Sequence, residues 1–295
     1  MMALAIQQFF NALQLGAVYA LIALGYTMVY GVLRMINFAH GDIFMAGGFI
    51  GFFLATLGKL PIYLLIPSAM LLTAALGVLI EQVAYRKLRH AQRMSLVITT
   101  LGIGMFLENL VRMVAGPQTR QLPAQMSTDP VRWLQHYAVT ITHDKIWMIA
   151  MSLGLMIALW LFINKTLMGI AMRAVADNKD VVPLMGININ VVIMVTFAVG
   201  SALAAAGGIF YGQAYSIDPY MGIDLGWKAF IAAVVGGIGS IEGAVLGSLI
   251  LASVEVFTVA YLSSNLKNGI VFTLLILLLL IRPNGILGKP LITKV

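Results

Sequence analysis

An imidazole and a carboxylate bracket one glycine in INFAHGDIF, where His40 and Asp42 flank Gly41 within apolar sequence. Ionisable groups at membrane depth are costly and ordinarily mark a path or a proton relay. The same residues, with Asn37, could serve a plainer end by satisfying backbone groups freed where a helix breaks, or by capping its restart. A second polar knot, Asp224 and Lys228 around Gly226, has the four-residue spacing that permits an ion pair on one helical face. Glu108 and Glu255 also lie within apolar runs and should face protein or water, since an unpaired charge at the midplane costs about 3 kcal/mol on insertion scales. Glu81, one turn from Tyr85 and Arg86, and Glu242, beside the GGIGS turn, read as interface anchors.

Catalytic chemistry finds little support. His40, His90, His136 and His143 are dispersed, and neither HExxH nor G-x-S-x-G occurs. Cysteine is absent, which excludes disulfides, thiolate metal sites and cysteine nucleophiles. The 18 methionines fall in apolar runs, where they fill gaps rather than bind metal. No metal, no cofactor and no enzymatic residue is expected.

The elements that must position these groups are membrane helices. Of 295 residues 61% are hydrophobic and only 10% charged, so a solvated globular surface of this size is out of reach. The apolar runs are continuous, without the alternation of barrel strands, so the fold class is all-α: a polytopic transmembrane helical bundle of eight or nine spans. They fall near 9–32, 42–58, 61–80, 94–115, 146–164, 190–210, 226–238, 241–262 and 266–282. The segments 42–58 and 226–238 are short, glycine-bearing and flanked by polar residues, which fits broken or re-entrant helices. RMINFAHGDIFMAGGFIG (34–51) and YMGIDLGWKAFIAAVVGGIG (220–239) share a design that suggests an inverted repeat, with the two segments facing each other near a substrate path.

A net charge of +7 would suggest nucleic acid in a soluble protein, but here the basic residues gather at span ends and read as orientation, so no nucleic acid is expected. Arg86, Lys87, Arg89 and Arg93, then Lys165, Arg173 and Lys179, then Arg282, Lys289 and Lys294 mark three cytoplasmic regions by the positive-inside rule. The loop 116–145, with Pro117, Pro123, Pro130 and Trp133, then lies outside, and reads either as an ordered cap or as a connector. The side of the amino terminus stays open: nine full spans put it outside, and one re-entrant segment reverses that. No removable signal peptide is expected, since no basic region precedes the first apolar run.

Between the fifth and sixth spans lies a polar island, KTLMGIAMRAVADNKDVVPLMGININ (165–190), that a membrane protein seldom keeps without a use. A short helix over 171–181 would put Met172, Val175 and Ala176 on one face, with Arg173, Asp177 and Asp180 elsewhere. Proline is accepted only in a first helical turn, so Pro183 should follow a break near Val182 and open a second short helix toward Gly186. A solvated connector is the simpler alternative.

RAVADNKDVVPLMGI resembles the coupling segment of ABC importer permeases, the match resting on Arg173, Ala174, Ala176, Gly186 and Ile187. LGYTMVYGVLRMINFAHGDIFMAGGF (24–49), IEQVAYRKLR (80–89), KAFIAAVVGGIGSIEGAVLGSLIL (228–251) and RPNGILGKP (282–290) closely resemble the H-type permeases of branched-chain amino acid importers, from about residue 8 to the end. Pro183 departs from that pattern, which usually has a small helix former there. The resemblance implies a single permease domain, 1–295, in the bacterial inner membrane, with a periplasmic loop at 116–145 and a cytoplasmic coupling segment at 165–190. It implies partners: two ABC ATPase subunits, a second homologous permease, a periplasmic substrate-binding protein and membrane lipid. No phosphate loop occurs in this chain, and GILGKP lacks its spacing and hydroxyl, so hydrolysis falls to another subunit. Met172, Arg173, Ala174, Ala176, Asp177, Gly186 and Ile187 would couple to the ATPase, and Asn37, His40, Gly41, Asp42, Asp224, Gly226 and Lys228 are candidates for the path. Selection would rest largely with the binding protein, leaving a weakly binding path. A urea or short-amide permease of the same superfamily and a proton-coupled secondary transporter remain as alternatives.

Overall fold

The structure is a computed structural model that describes residues 2–89, 91–123, 126–131, 139–179 and 181–288, without the side chains of Met2 and Arg93. His90, Arg132, Trp133, His136, Asp180, Lys289 and Lys294 fall outside these residues.

Among the described residues, nine helices overlie the nine apolar segments from which eight or nine spans are expected. They are α1 (Met2–Leu33), α2 (His40–Thr56), α3 (Ile62–Ile80) and α4 (Arg93–Ala115), then α5 (His143–Lys165). After the island helix α6 (Leu167–Asp177) come α7 (Ile189–Ala214), α8 (Met221–Gly236), α9 (Ile241–Tyr261) and α10 (Lys267–Ile281). Seven of the helices are long and apolar enough to cross a membrane by length and composition. The two short segments are α2, of 17 residues, and α8, of 16, each a single helix with its interruption in the connector before it. At 1.5 Å per residue they extend about 25 Å, somewhat less than a hydrocarbon core.

The core is unusual in being a helix nearly wrapped by protein: α1 is buried almost continuously from Gln14 to Val29. Around it the packing obeys the exchange that an inverted repeat requires. Helix α1 lies along α9 as α3 lies along α7, α2 contacts α7 as α8 contacts α1, and α2 and α8 meet each other. The periphery is apolar and exposed, as lipid-facing helices must be: Leu71, Met105, Met113 and Leu280 all project outward.

Connections fix the two faces. Arg34, just after α1, donates to the Ala176 carbonyl at 3.1 Å, so the carboxyl end of α1 lies at the island. At the other end Gln7 and Thr140 exchange two hydrogen bonds of 3.0 and 2.9 Å, so the amino-terminal end of α1 lies with the 116–145 loop, opposite the island. Parity on the sequence alone could not settle this. The described part of that loop is ordered by pairing of Arg120 with Ile217 and by Val131 donating to Ile141 at 2.8 Å, while Val131, Val139 and Ile141 pack on Ala3, Ile6 and Phe10.

The corner between α5 and α6 differs from expectation. The island helix spans Leu167–Asp177 rather than 171–181, because the Thr166 hydroxyl accepts the Gly169 N–H at 3.1 Å and starts the helix four residues early. A Cβ on Gly169 would collide with the Ile163 carbonyl and sit 2.6 Å from the Ile163 Cα, so only glycine fits this corner. Gly169→Val should therefore lower the thermal unfolding midpoint of the detergent-purified chain by several degrees, read by fluorescence-detected size exclusion; an unchanged midpoint would contradict the corner as described.

Candidate functional site

The amino-terminal turns of α2 and α8 cross inside the bundle. A Cβ on Gly41 would collide with the Gly222 carbonyl and lie 2.9 Å from the Gly226 Cα, and one on Gly226 would lie 2.8 Å from the Gly41 Cα. Backbone is pressed on backbone, a contact that only glycine allows. The depth of the crossing follows from its neighbours. His40 Nε2 abuts Gly25, eight residues or about 12 Å before the end of α1, and Asp42 Oδ2 abuts Gly104, halfway along α4.

Local chemistry explains why α2 restarts there. The Asn37 side-chain oxygen accepts the Ala39 N–H at 3.1 Å and the Tyr85 hydroxyl at 2.8 Å. Tyr85 closes a π-helical turn, Glu81–Tyr85, which continues α3, and the change of pitch sets the direction in which that hydroxyl points. Asn37 thus closes an Asx-type turn that leads into α2, whose own N-cap, Ala39, has no side-chain cap. His40 Nε2 and Asp42 Oδ1 have no hydrogen-bond partner among the described residues, although both side chains are buried. Asp42 stands in the first turn of α2 as Asp224 does in α8, each opposing its helix dipole. Asp42 and Glu108 line a cavity of about 250 Å³ walled by Tyr26, Phe38, Trp227 and Phe230, which answers where Glu108 faces: toward protein.

The second polar knot is a buried network. Lys228 Nζ lies 2.8 Å from Glu255 Oε1 and 3.2 Å from Asp224 Oδ2, and Tyr19 donates to Glu255 Oε2 at 2.8 Å. The expected Asp224–Lys228 pair forms, yet the closer partner is Glu255, 27 residues away on α9. Lys228, Glu255 and Tyr19 are all nearly inaccessible, whereas the Asp224 side chain is 59% exposed. It opens into a cavity of about 670 Å³ on the loop face, bounded by α1, α5, α7, α8, α9 and α10. The cavity floor is the network itself. The path candidates thus divide between two places: Asn37, His40, Gly41, Asp42 and Gly226 at the crossing, Asp224 and Lys228 at the cavity.

On the opposite face the island forms an elbow. Met172 and Val175 are buried against the bundle, Ala174, Ala176 and Ile187 are half-buried, and Arg173, Asp177 and Gly186 are exposed. Arg173 donates to the Ile163 carbonyl, which ties α6 to α5. The helix ends at Asp177, earlier than the break expected near Val182, but a 3-10 turn, Val182–Met185, carries Pro183 in its first turn and ends at Gly186 with φ +77°, as expected of the proline. Leu184 and Met185, at the tip, are 85% and 71% exposed. The basic residues Arg86, Lys87 and Arg89, together with Lys165, Lys179 and Arg282, share this face, where Glu81 is buried and paired with Arg89.

Sequence reasoning missed Tyr19 altogether, and named Glu81 and Tyr85 without their partners. Tyr19, Tyr85 and Glu81 reach partners 236, 48 and 8 residues away, and hydropathy carries no mark of such pairings.

Comparison with known proteins agrees in one direction. Residues 8–281 match the family model described as a branched-chain amino acid transport system permease component. The chain is 42% identical to the high-affinity branched-chain amino acid transport system permease protein LivH of Escherichia coli K12, over 98% of this chain and 97% of the relative. LivH of Salmonella typhimurium matches equally, and BraD of Pseudomonas aeruginosa is 40% identical over 98% of both chains. With the match running through the crossing, the charged network and the elbow alike, the chain belongs to the family of branched-chain amino acid transport permeases.

Proposed function

We propose that this chain is the permease subunit of a bacterial inner-membrane ABC importer for leucine, isoleucine and valine. It carries substrate from a periplasmic binding protein to the cytoplasm with ATP hydrolysed by partner subunits. The observation that supports this most directly is near-full-length identity of about two residues in five to permeases named for that transport. The elbow fits the mechanical role. A helix packed on the bundle through Met172 and Val175, followed by an exposed apolar tip at Leu184 and Met185, offers a separate protein a handle rigidly joined to α5 and α7. The basic face then lies in the cytoplasm, the loop 116–145 in the periplasm, and a second permease and two ATPases complete the assembly. ATP-driven closure of the ATPase pair displaces 172–186 and tilts the attached helices, so the path opens alternately to each side.

Reconstitution into proteoliposomes, with and without the ATPase subunits and with a proton gradient as control, tests the reading. Leucine uptake should require the ATPases and ATP. Uptake by the chain alone, following the proton gradient, would make it a secondary transporter, and ATP-driven uptake of urea in preference to leucine would favour the short-amide alternative. Within the assembled transporter, Arg173→Glu and Gly186→Pro should each cut ATP-coupled uptake at least tenfold while the chain still inserts and co-purifies with lipid. Full uptake in both variants would remove the coupling role of the elbow.

A further inference from the structure

The cavity on the loop face carries more chemistry than a passive funnel needs. Lys228 is already neutralised by Glu255 at 2.8 Å, and Glu255 is satisfied on its other oxygen by Tyr19. The carboxylate of Asp224 is therefore surplus to the network, and it is the exposed acid of that group; Glu255 lies in the floor beneath it, and Asp144 is a further acid on the wall, next to Lys145 in sequence. Cations stand on other walls. Lys145, on α5, uses one proton on Asn11 at 2.7 Å and keeps two, and Lys267, on α10, makes no ion pair among the described residues. Between them α1 and α9 contribute an aliphatic surface of Leu15, Val256 and Val259. Asp224 alone would be explained as a first-turn acid opposing the dipole of α8. That account does not explain why two ammonium groups and an apolar wall line the same cavity.

We infer that this cavity is an amino-acid-binding vestibule: Asp224 receives the α-ammonium group, Lys145 and Lys267 the α-carboxylate, and Leu15, Val256 and Val259 the aliphatic side chain. The inference rests on the transport reading above and extends it, because selection then lies partly in the permease rather than with a binding protein alone. The walls suit a zwitterion. An amine or a carboxylic acid of the same shape satisfies one wall and leaves the other without a partner, and a urea or short amide satisfies neither. A volume of about 670 Å³ lies within the range of small-molecule sites and holds a leucine with several waters. Below it the Gly41–Gly226 crossing closes the way to the island face, so the site is reached from the loop side.

The test is equilibrium binding to the complete transporter, purified in nanodiscs without its binding protein and without nucleotide. The probes are leucine, isoamylamine, 4-methylpentanoate and urea. Leucine should bind saturably, with both single-charge analogues at least tenfold weaker and urea not detected. Asp224→Asn should weaken leucine and isoamylamine at least tenfold but leave 4-methylpentanoate unchanged, and Lys267→Met should do the reverse. Asp224→Asn should keep the wild-type unfolding midpoint, because Lys228 retains Glu255. Absent leucine binding at millimolar concentration, equal binding of the four probes, or variants that weaken every probe alike would overturn the vestibule. Each of these outcomes is compatible with ATP-driven leucine uptake in the same preparation, so the transport reading stands or falls on uptake and the vestibule on binding.

Discussion

Lys228→Met is expected to destabilise the protein by about 3–5 kcal/mol, because it strands the buried carboxylate of Glu255 with only the Tyr19 hydroxyl for company. The reciprocal change is expected to cost far less. Glu255→Gln leaves Lys228 beside Asp224 at 3.2 Å, and the neutral amide oxygen still accepts from Tyr19, so the loss should be on the order of 1 kcal/mol. Combining the two substitutions removes both charges, and most of the stability should return. This inequality separates a desolvated pair from a surface one, since exposed pairs contribute about 0–1 kcal/mol whichever partner is removed. Thermal unfolding of the four species in one detergent gives the cycle. Equal losses in the two single variants, or a double variant as unstable as Lys228→Met, would show that the network is not organised around Glu255.

That network also marks the boundary of what the chain discloses before it folds. The nine apolar helices follow from hydropathy, and the likeness of 34–51 to 220–239 points to two short helices that do meet. The Asp224–Lys228 pair was legible because both residues sit on one helix at a fixed spacing. Glu255, Tyr19 and Glu108 were not placed, for a physical reason. A soluble helix declares its inner face by an apolar stripe, whereas a membrane helix is apolar toward lipid and protein alike, so periodicity cannot say which way Glu255 points. The island shows the complementary case. Its buried face obeys ordinary amphipathic spacing and Met172 and Val175 were readable, but the start of α6 turns on one hydroxyl, Thr166, acting at a corner that hydropathy does not register. The end at which the amino terminus lies depended on counting crossings, and a single hydrogen-bonded pair, Gln7 with Thr140, puts it with the 116–145 loop and opposite the island.

Gly41→Val should be the most damaging single substitution at the crossing, for transport as well as stability. Most overpacked cores recover by rotating a side chain, at about 1–3 kcal/mol. Here the atoms in the way are the Gly222 carbonyl and the Gly226 Cα, which belong to backbone and have no rotamer to change, so α2 and α8 must separate. Separation would disturb Asp42 and His40, whose Oδ1 and Nε2 atoms have no hydrogen-bond partner among the described residues, and lift the floor beside Lys228. The prediction gains force from a control on the same scale. Gly154, inside α5, has nothing within 4 Å of an added Cβ, so Gly154→Ala should be neutral or stabilise by about 0.5–1 kcal/mol through helix propensity. Gly226→Ala, which meets the Gly41 Cα from the other side, should reproduce a milder form of the Gly41 defect. Unfolding midpoints of the three variants, with leucine uptake in proteoliposomes, decide the matter. If Gly41→Val folds and transports as well as Gly154→Ala, the two short helices do not press on each other, and the closure that separates the outer cavity from the island face has no structural basis.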